Sequence, residues 1–196
     1  VQNATLLVRQ GKIVAVGNNI TIPKDAVIID CSGKFIYPAF IDIYSDYGIT
    51  VANAQQQNFT SAAAFFRTQQ LTSGTKGAYG WNQALKPETE AYKIFTADEA
   101  KAKALRDIGF GSVLTHQKDG IARGSGAFVT LAAQPDNFVI LKDKASAHYS
   151  FSKGSSSQSY PGSMMGMIAL LRQTYLDAQW YKTNPVTEGV NLSLKN

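Results

Sequence analysis

Apolar positions in the first forty residues come in short β-branched runs set off by turn formers. Thr5-Leu6-Leu7-Val8-Arg9 and Ile13-Val14-Ala15-Val16 flank Gln10-Gly11-Lys12 and predict a hairpin. Val27-Ile28-Ile29 reads as a third short strand. Ser32-Gly33-Lys34 is a turn before Phe35-Ile36-Tyr37, which Pro38 ends, and Phe40-Ile41-Asp42-Ile43-Tyr44 opens another strand.

The spacing then becomes helical. Residues 59–70 carry Ala62, Phe65, Phe66 and Gln69 at helix-compatible intervals, and the glycine and serine breakers of 72–81 predict a loop. Thr96-Ala97-Asp98-Glu99 has the capping-box pattern, in which Thr96 and Glu99 each satisfy an orphan backbone donor. Ala97, Ala100, Ala104, Leu105 and Ile108 form the stripe of the helix that follows, and Gly109 suits its left-handed C-terminal position. Residues 110–116 then read as a strand, so helix, glycine and strand make an αβ unit, the building block of parallel sheets and barrels. Further strands are expected over 126–132 and 137–142. Residues 150–163, with seven serines among them, read as a mobile lid or connector. A second helix is predicted over 164–181, with Met164, Ile168, Leu171, Tyr175 and Ala178 on its buried face and Asn184-Pro185 as its stop.

Composition narrows the function classes. Of 196 residues, 44% are hydrophobic and 17% charged, which fits a folded, water-soluble chain. No apolar run approaches the ~20 residues of a membrane span. The net charge of +5 is scattered, without the basic stripe that a nucleic-acid surface needs. The start has no basic-then-apolar leader and no initiator Met, so the expectation is a chain beginning inside a longer gene product. Cys31 is the single cysteine and excludes an internal disulfide.

The stretch Ala4-Thr-Leu-Leu-Val-Arg-Gln-Gly-Lys-Ile-Val-Ala-Val-Gly17, followed by Pro23, Ala26, Val27-Ile-Ile-Asp30, Gly33-Lys34 and Tyr37-Pro38-Ala39-Phe40-Ile41-Asp42, resembles the N-terminus of the amidohydrolase superfamily. Ala39 stands where the family has glycine. Trp81-Asn82-Gln83-Ala84, Thr115-His116-Gln117-Lys118-Asp119-Gly120-Ile121-Ala122-Arg123-Gly124 and residues 163–181 resemble a subgroup of large, often exported proteins of that kind. The resemblance implies an α/β fold: a β-sandwich segment over 1–39, then a partial TIM-like (β/α) barrel over 40–196. It also implies a parent that uses a divalent metal such as zinc to activate water against amide or cyclic amide C–N bonds.

Two departures bear on that chemistry. Active members follow Ile-Asp with x-His-x-His, whose histidines, two apart on a strand, face one side and bind one ion. Here the line is Ile43-Tyr44-Ser45-Asp46. A phenol must lose a proton before it ligates well, and a lone aspartate is a weak site for a borderline metal. The second departure is length: about 155 residues follow the sandwich segment, against ~250 for a full barrel. The later family ligands are therefore expected beyond Asn196, with no cofactor in this chain itself.

The candidate site residues are Asp42, Tyr44, Asp46 and His116. Each also has a plain reading. Tyr44 and Asp46 would be polar residues at a strand end, and Asp42 a backbone hydrogen-bond acceptor at the strand turn. His116, at the C-terminal end of a strand where barrel chemistry collects, would be a satisfied structural or surface histidine. Its counterpart His148 is 32 residues away, which is no metal-binding spacing. The run Gly120 to Gly126, with Arg123 inside it, reads as a tight loop, with anion binding through backbone donors as the alternative. Three functions follow: a fragment of an amidohydrolase-type enzyme, a catalytically silent scaffold, or a ligand-binding protein that uses the surviving pocket without chemistry. The expected partner is the remainder of the parent polypeptide or an amidohydrolase-like partner domain. Open sheet edges predict distortion, homo-oligomerisation or coverage by the serine-rich segment.

Overall fold

The computed structural model describes residues 2–50, 82–184 and 191–195. The helix expected over 59–70 and the loop over 72–81 lie outside these. The chain divides into two compact units, Val1–Pro38 and Ala39–Asn196.

In the first unit, β1 (Thr5–Arg9) and β2 (Lys12–Gly17) pair antiparallel as a hairpin. Gln10 and Gly11 take φ of 51° and 70° at its turn, as a tight right-handed hairpin requires. The strands expected at 27–29 and 35–37 do not form. Ile28 is 73% exposed and Phe35 85%, and no described strand offers these segments hydrogen bonds. A run of β-branched residues becomes a strand only when another strand completes its ladder. The turn between them does form, with Ser32 donating from its backbone to Asp30 Oδ1 at 2.9 Å.

The second unit is built on a four-stranded sheet in the order β3 (Phe40–Ser45), β4 (Phe110–Thr115), β5 (Ala122–Thr130), β6 (Ile140–Tyr149). β3 and β4 are parallel, whereas β4–β5 and β5–β6 are antiparallel. The expected (β/α) alternation therefore holds for one pair only, and no closed barrel forms among the described residues. The glycine run is not a loop: Gly124 and Gly126 lie inside β5. The strand expected over 137–142 begins only at Ile140, after a short helical turn at Asp136–Val139.

The short helix Ala91–Ile94 is α1, and α2 (Glu99–Asp107) packs on the sheet through Ala102 and Leu105. Its cap is Asp98, which accepts from the Lys101 backbone at 3.1 Å, in place of the expected Thr96. The turn Asp136–Val139 is α3. Val113, Ala127 and Val129, on the two central strands, and Leu131, just past the end of β5, anchor the core with Tyr47, Phe95 and Val139. Gly111 leaves the space that Ala39 fills, since a Cβ on Gly111 would stand 2.7 Å from the Ala39 methyl.

The long helix α4 (Met164–Thr183) starts where expected, with Ser163 accepting from the Gly166 backbone at 3.1 Å. Its buried face is displaced from the predicted one. Leu170 is the fully buried residue, flanked by Met167 and Leu171, while Met164, Ile168 and Tyr175 are exposed. The helix is apolar on more than one side, so docking against Ala84, Leu85 and Ile121 selects the stripe. The last described element is α5 (Leu192–Lys195).

The serine-rich segment is not a free lid. Ser155 donates from its backbone and hydroxyl to Asp119 at 2.7 and 2.6 Å, and Lys86 is ion-paired to the same carboxylate. Gln158 Oε1 accepts from the Gln83 backbone at 2.6 Å, and Asn82 Nδ2 donates to the Tyr160 carbonyl at 3.0 Å. Burial pushes the Asp119 carboxyl up, but the hydrogen bonds from Lys86 and Ser155 outweigh it and hold the group below the ordinary carboxylate range.

Candidate functional site

The parallel pairing of β3 with β4 brings the candidate residues together. Ser45 pairs with Thr115, and the His116 backbone donates to the Ser45 carbonyl at 3.0 Å. Tyr44 and His116 thereby become neighbours at the carboxyl ends of adjacent strands, with ring centroids 4.8 Å apart. Asp46 follows one residue past the end of β3. Asp42 stands apart from this cluster in role: its Oδ1 accepts from the Tyr44 backbone at 2.9 Å, the plain reading made of it.

The antiparallel strands add residues that sequence spacing did not join. His148, on β6, stacks on His116 with centroids 3.6 Å apart and planes 2° apart. His148 Nε2 is 2.7 Å from the Ser146 hydroxyl. His116 is fully buried, and neither of its ring nitrogens has a hydrogen-bond partner. It is thus neither a surface nor a satisfied histidine. Burial foremost, then His148, Arg123 and Lys118, push its imidazole down to about 4, with Asp46 acting the other way. Burial and then Arg123 lower His148 as well. Both rings are therefore neutral at neutral pH, which is what lets them stack without charge repulsion.

Two cations complete the cluster. Lys118 Nζ lies 4.7 Å from the centroid of the Tyr44 ring and 3.6 Å from Asp46 Oδ2. Arg123, on β5 and only 6% exposed, donates from Nη1 to the Tyr44 hydroxyl at 2.8 Å and from Nε to the Gly120 carbonyl at 3.1 Å. The backbone that aims it is tight. Gly124 has φ of 78°, and a Cβ there would stand 1.9 Å from the Thr89 carbonyl oxygen.

These residues do not fit a divalent metal. The Tyr44 oxygen is taken by a guanidinium and Asp46 by an ammonium, so two positive charges stand at the first ligand pair. The histidines cannot chelate one ion either. Imidazole lone pairs lie in the ring plane, so an ion in the plane of one ring stands close to the full stacking distance out of the other's, against a zinc–nitrogen bond of roughly 2.0–2.1 Å. Among the described residues no group of three histidine, cysteine, aspartate or glutamate side chains is placed to hold a metal.

Lys118, His148 and Arg123 were not among the residues read as site candidates. Arg123 carried one usable signal, its place between glycines, and its side chain donates to the Gly120 carbonyl and the Tyr44 hydroxyl. A separate apolar cleft of about 840 Å³ lies along α4, lined by Tyr149, Leu171, Tyr175 and Leu194 among others, and includes none of the four candidate residues.

The chain is similar in structure to the crystal structure of an amidohydrolase from Thermotoga maritima MSB8, with a TM-score of 0.65 and 22% sequence identity over 97% of this chain. The match spans 49% of that protein, so this chain corresponds to about half its length. No protein-family model and no curated protein matches the chain. The shared feature is the fold, an amidohydrolase-like α/β arrangement. No described helix is long and apolar enough to cross a membrane.

Proposed function

We propose that this chain is the N-terminal module of an amidohydrolase-like, metal-dependent hydrolase of amide or cyclic amide C–N bonds, and that alone it is catalytically silent. On this reading residues 1–39 belong to a β-sandwich, and the β3–β4 pair opens a TIM-like barrel whose remaining strands and metal ligands lie in the rest of the parent. The observation that carries the reading is the state of the first ligand pair: Tyr44 accepts from Arg123, and Asp46 is paired with Lys118. A site built for a dication would present free anionic or neutral donors there.

Metal analysis of the dialysed chain tests this reading. Less than stoichiometric zinc is expected, together with no hydrolysis of amide or cyclic amide substrates. Retention of roughly one equivalent of zinc, the occupancy of a built site, would sink it. The double substitution Tyr44→His and Asp46→His is expected to leave the chain inactive, because Lys118 and Arg123 remain and the later ligands are supplied elsewhere.

A second reading, a scaffold that organises a partner domain without chemistry anywhere in the pair, is favoured by the exposed apolar edge of β3. Phe40 is 65% exposed and Ile43 72%. The two readings part on whether the polypeptide that covers this edge brings its own histidine and aspartate ligands.

A further inference from the structure

Among the described residues, Arg123 is a buried cation without a counter-ion. Arginine is almost never fully buried unless paired, because removing its charge from water is costly. Yet its two hydrogen bonds go to neutral oxygens, the Gly120 carbonyl and the Tyr44 hydroxyl. No described carboxylate pairs with it. Lys118, the other cation of the cluster, has Asp46.

Beside this guanidinium lies a second anomaly. His116 is fully buried, and both its nitrogens lack partners. Buried polar groups are satisfied in the great majority of cases, so an orphaned imidazole calls for a group that would satisfy it. Tyr44 links the two features: its hydroxyl meets Arg123 and its ring meets His116. Its 54% exposure gives the cluster a solvent end.

We propose that Arg123 and His116 form a binding site for a small molecule carrying one carboxylate group. Charge decides for a carboxylate. With Lys118 balanced by Asp46 and both histidines neutral, Arg123 leaves one positive charge to be met. A carboxylate supplies one negative charge, whereas a phosphate monoester brings about −1.5 to −2 at neutral pH. Shape agrees, since the planar guanidinium fork matches a planar carboxylate through two parallel N–H donors, which chloride cannot use together. A neutral imidazole adds one N–H donor to a carboxylate oxygen. The site is independent of the scaffold reading: it requires neither a metal nor the remainder of a barrel.

Calorimetric titration of the full chain with sodium acetate, inorganic phosphate and sodium chloride, at neutral pH and constant ionic strength, tests the proposal. Acetate is expected to bind saturably at one site, with phosphate and chloride weaker. Arg123→Gln is expected to weaken acetate by about tenfold or more, the loss of a charge-assisted pair. Absence of saturable acetate binding, phosphate binding at least as tight, or an unchanged Arg123→Gln would each overturn it. Since Arg123→Gln removes a buried group, the unmodified chain supplies a second readout. Acetate is expected to move the side-chain nitrogen NMR signals of His116, and signals that stay in place through the titration overturn the site even if the variant does not fold.

Discussion

The serine-rich segment 150–163 and the strand β3 reverse what their compositions suggest. The first is polar and of low complexity, yet Ser156 and Gln158 are buried, at 8% and 1% exposure. The second is apolar and β-branched, yet Phe40, Ile41 and Ile43 stand in the open. Partners account for the difference. The serine-rich segment finds acceptors and donors in Gln83, Lys86 and Asp119 of the same chain, so its polar atoms are satisfied on burial. β3 has β4 on one side and no described strand on the other. Residue polarity sets the cost of burial, but only the supply of a matching surface lets it happen.

The largest effect is expected where the pinned segment is held. Asp119→Ala removes the acceptor of Lys86 and of two Ser155 donors, and should cost about 3 kcal/mol, measured by urea unfolding. A loss below about 1 kcal/mol would mean that the segment is not fastened as described.

Between the two regions, at the end of β4, His116 predicts an acid-sensitive step. Its imidazole is pushed down to about 4 from 6.5. Between those values the unfolded chain takes up a proton that the folded chain refuses, so stability is complete above the unfolded value and falls as pH drops toward the folded one. The fall should be on the order of 3 kcal/mol. His116→Phe keeps a ring in the stack and removes the nitrogens, so it should flatten this part of the urea-midpoint profile. A profile unchanged by that substitution would place the sensitivity elsewhere.

The smallest effect is expected on β3. Ile43→Thr should change the stability of the isolated chain by no more than about 0.5 kcal/mol while reducing its self-association in sedimentation. A loss above about 1 kcal/mol would show that Ile43 is covered in solution, by a second copy or by a rearranged edge.

Some of this was legible in the residue pattern. The β1–β2 hairpin, the strand at Phe110 and the start of α4 were readable because each depends on neighbours in sequence: a turn glycine, a helix-closing Gly109, a capping Ser163. The resemblance read from residues 4–46 agrees with the structural neighbour as far as an amidohydrolase-like α/β arrangement, and the Tyr44 and Asp46 positions lie in one cluster with His116. The misses share a cause. Val27-Ile28-Ile29 has every local mark of a strand and no ladder partner. The buried face of α4 was misjudged by about one helical position because several of its stripes are apolar. Asp98 displaced Thr96 as cap, although both are good capping residues.

Chain-local interactions therefore decided where elements begin and turn, since a cap, a hairpin or an amphipathic stripe is satisfied within a few residues. The same residues could not say that Arg123 would be buried with no described carboxylate paired to it, or that His116 and His148 would stack across β4, β5 and β6. Those outcomes depend on antiparallel register, which places side chains from distant segments within contact distance. A change of one residue in that register would turn each to the opposite face.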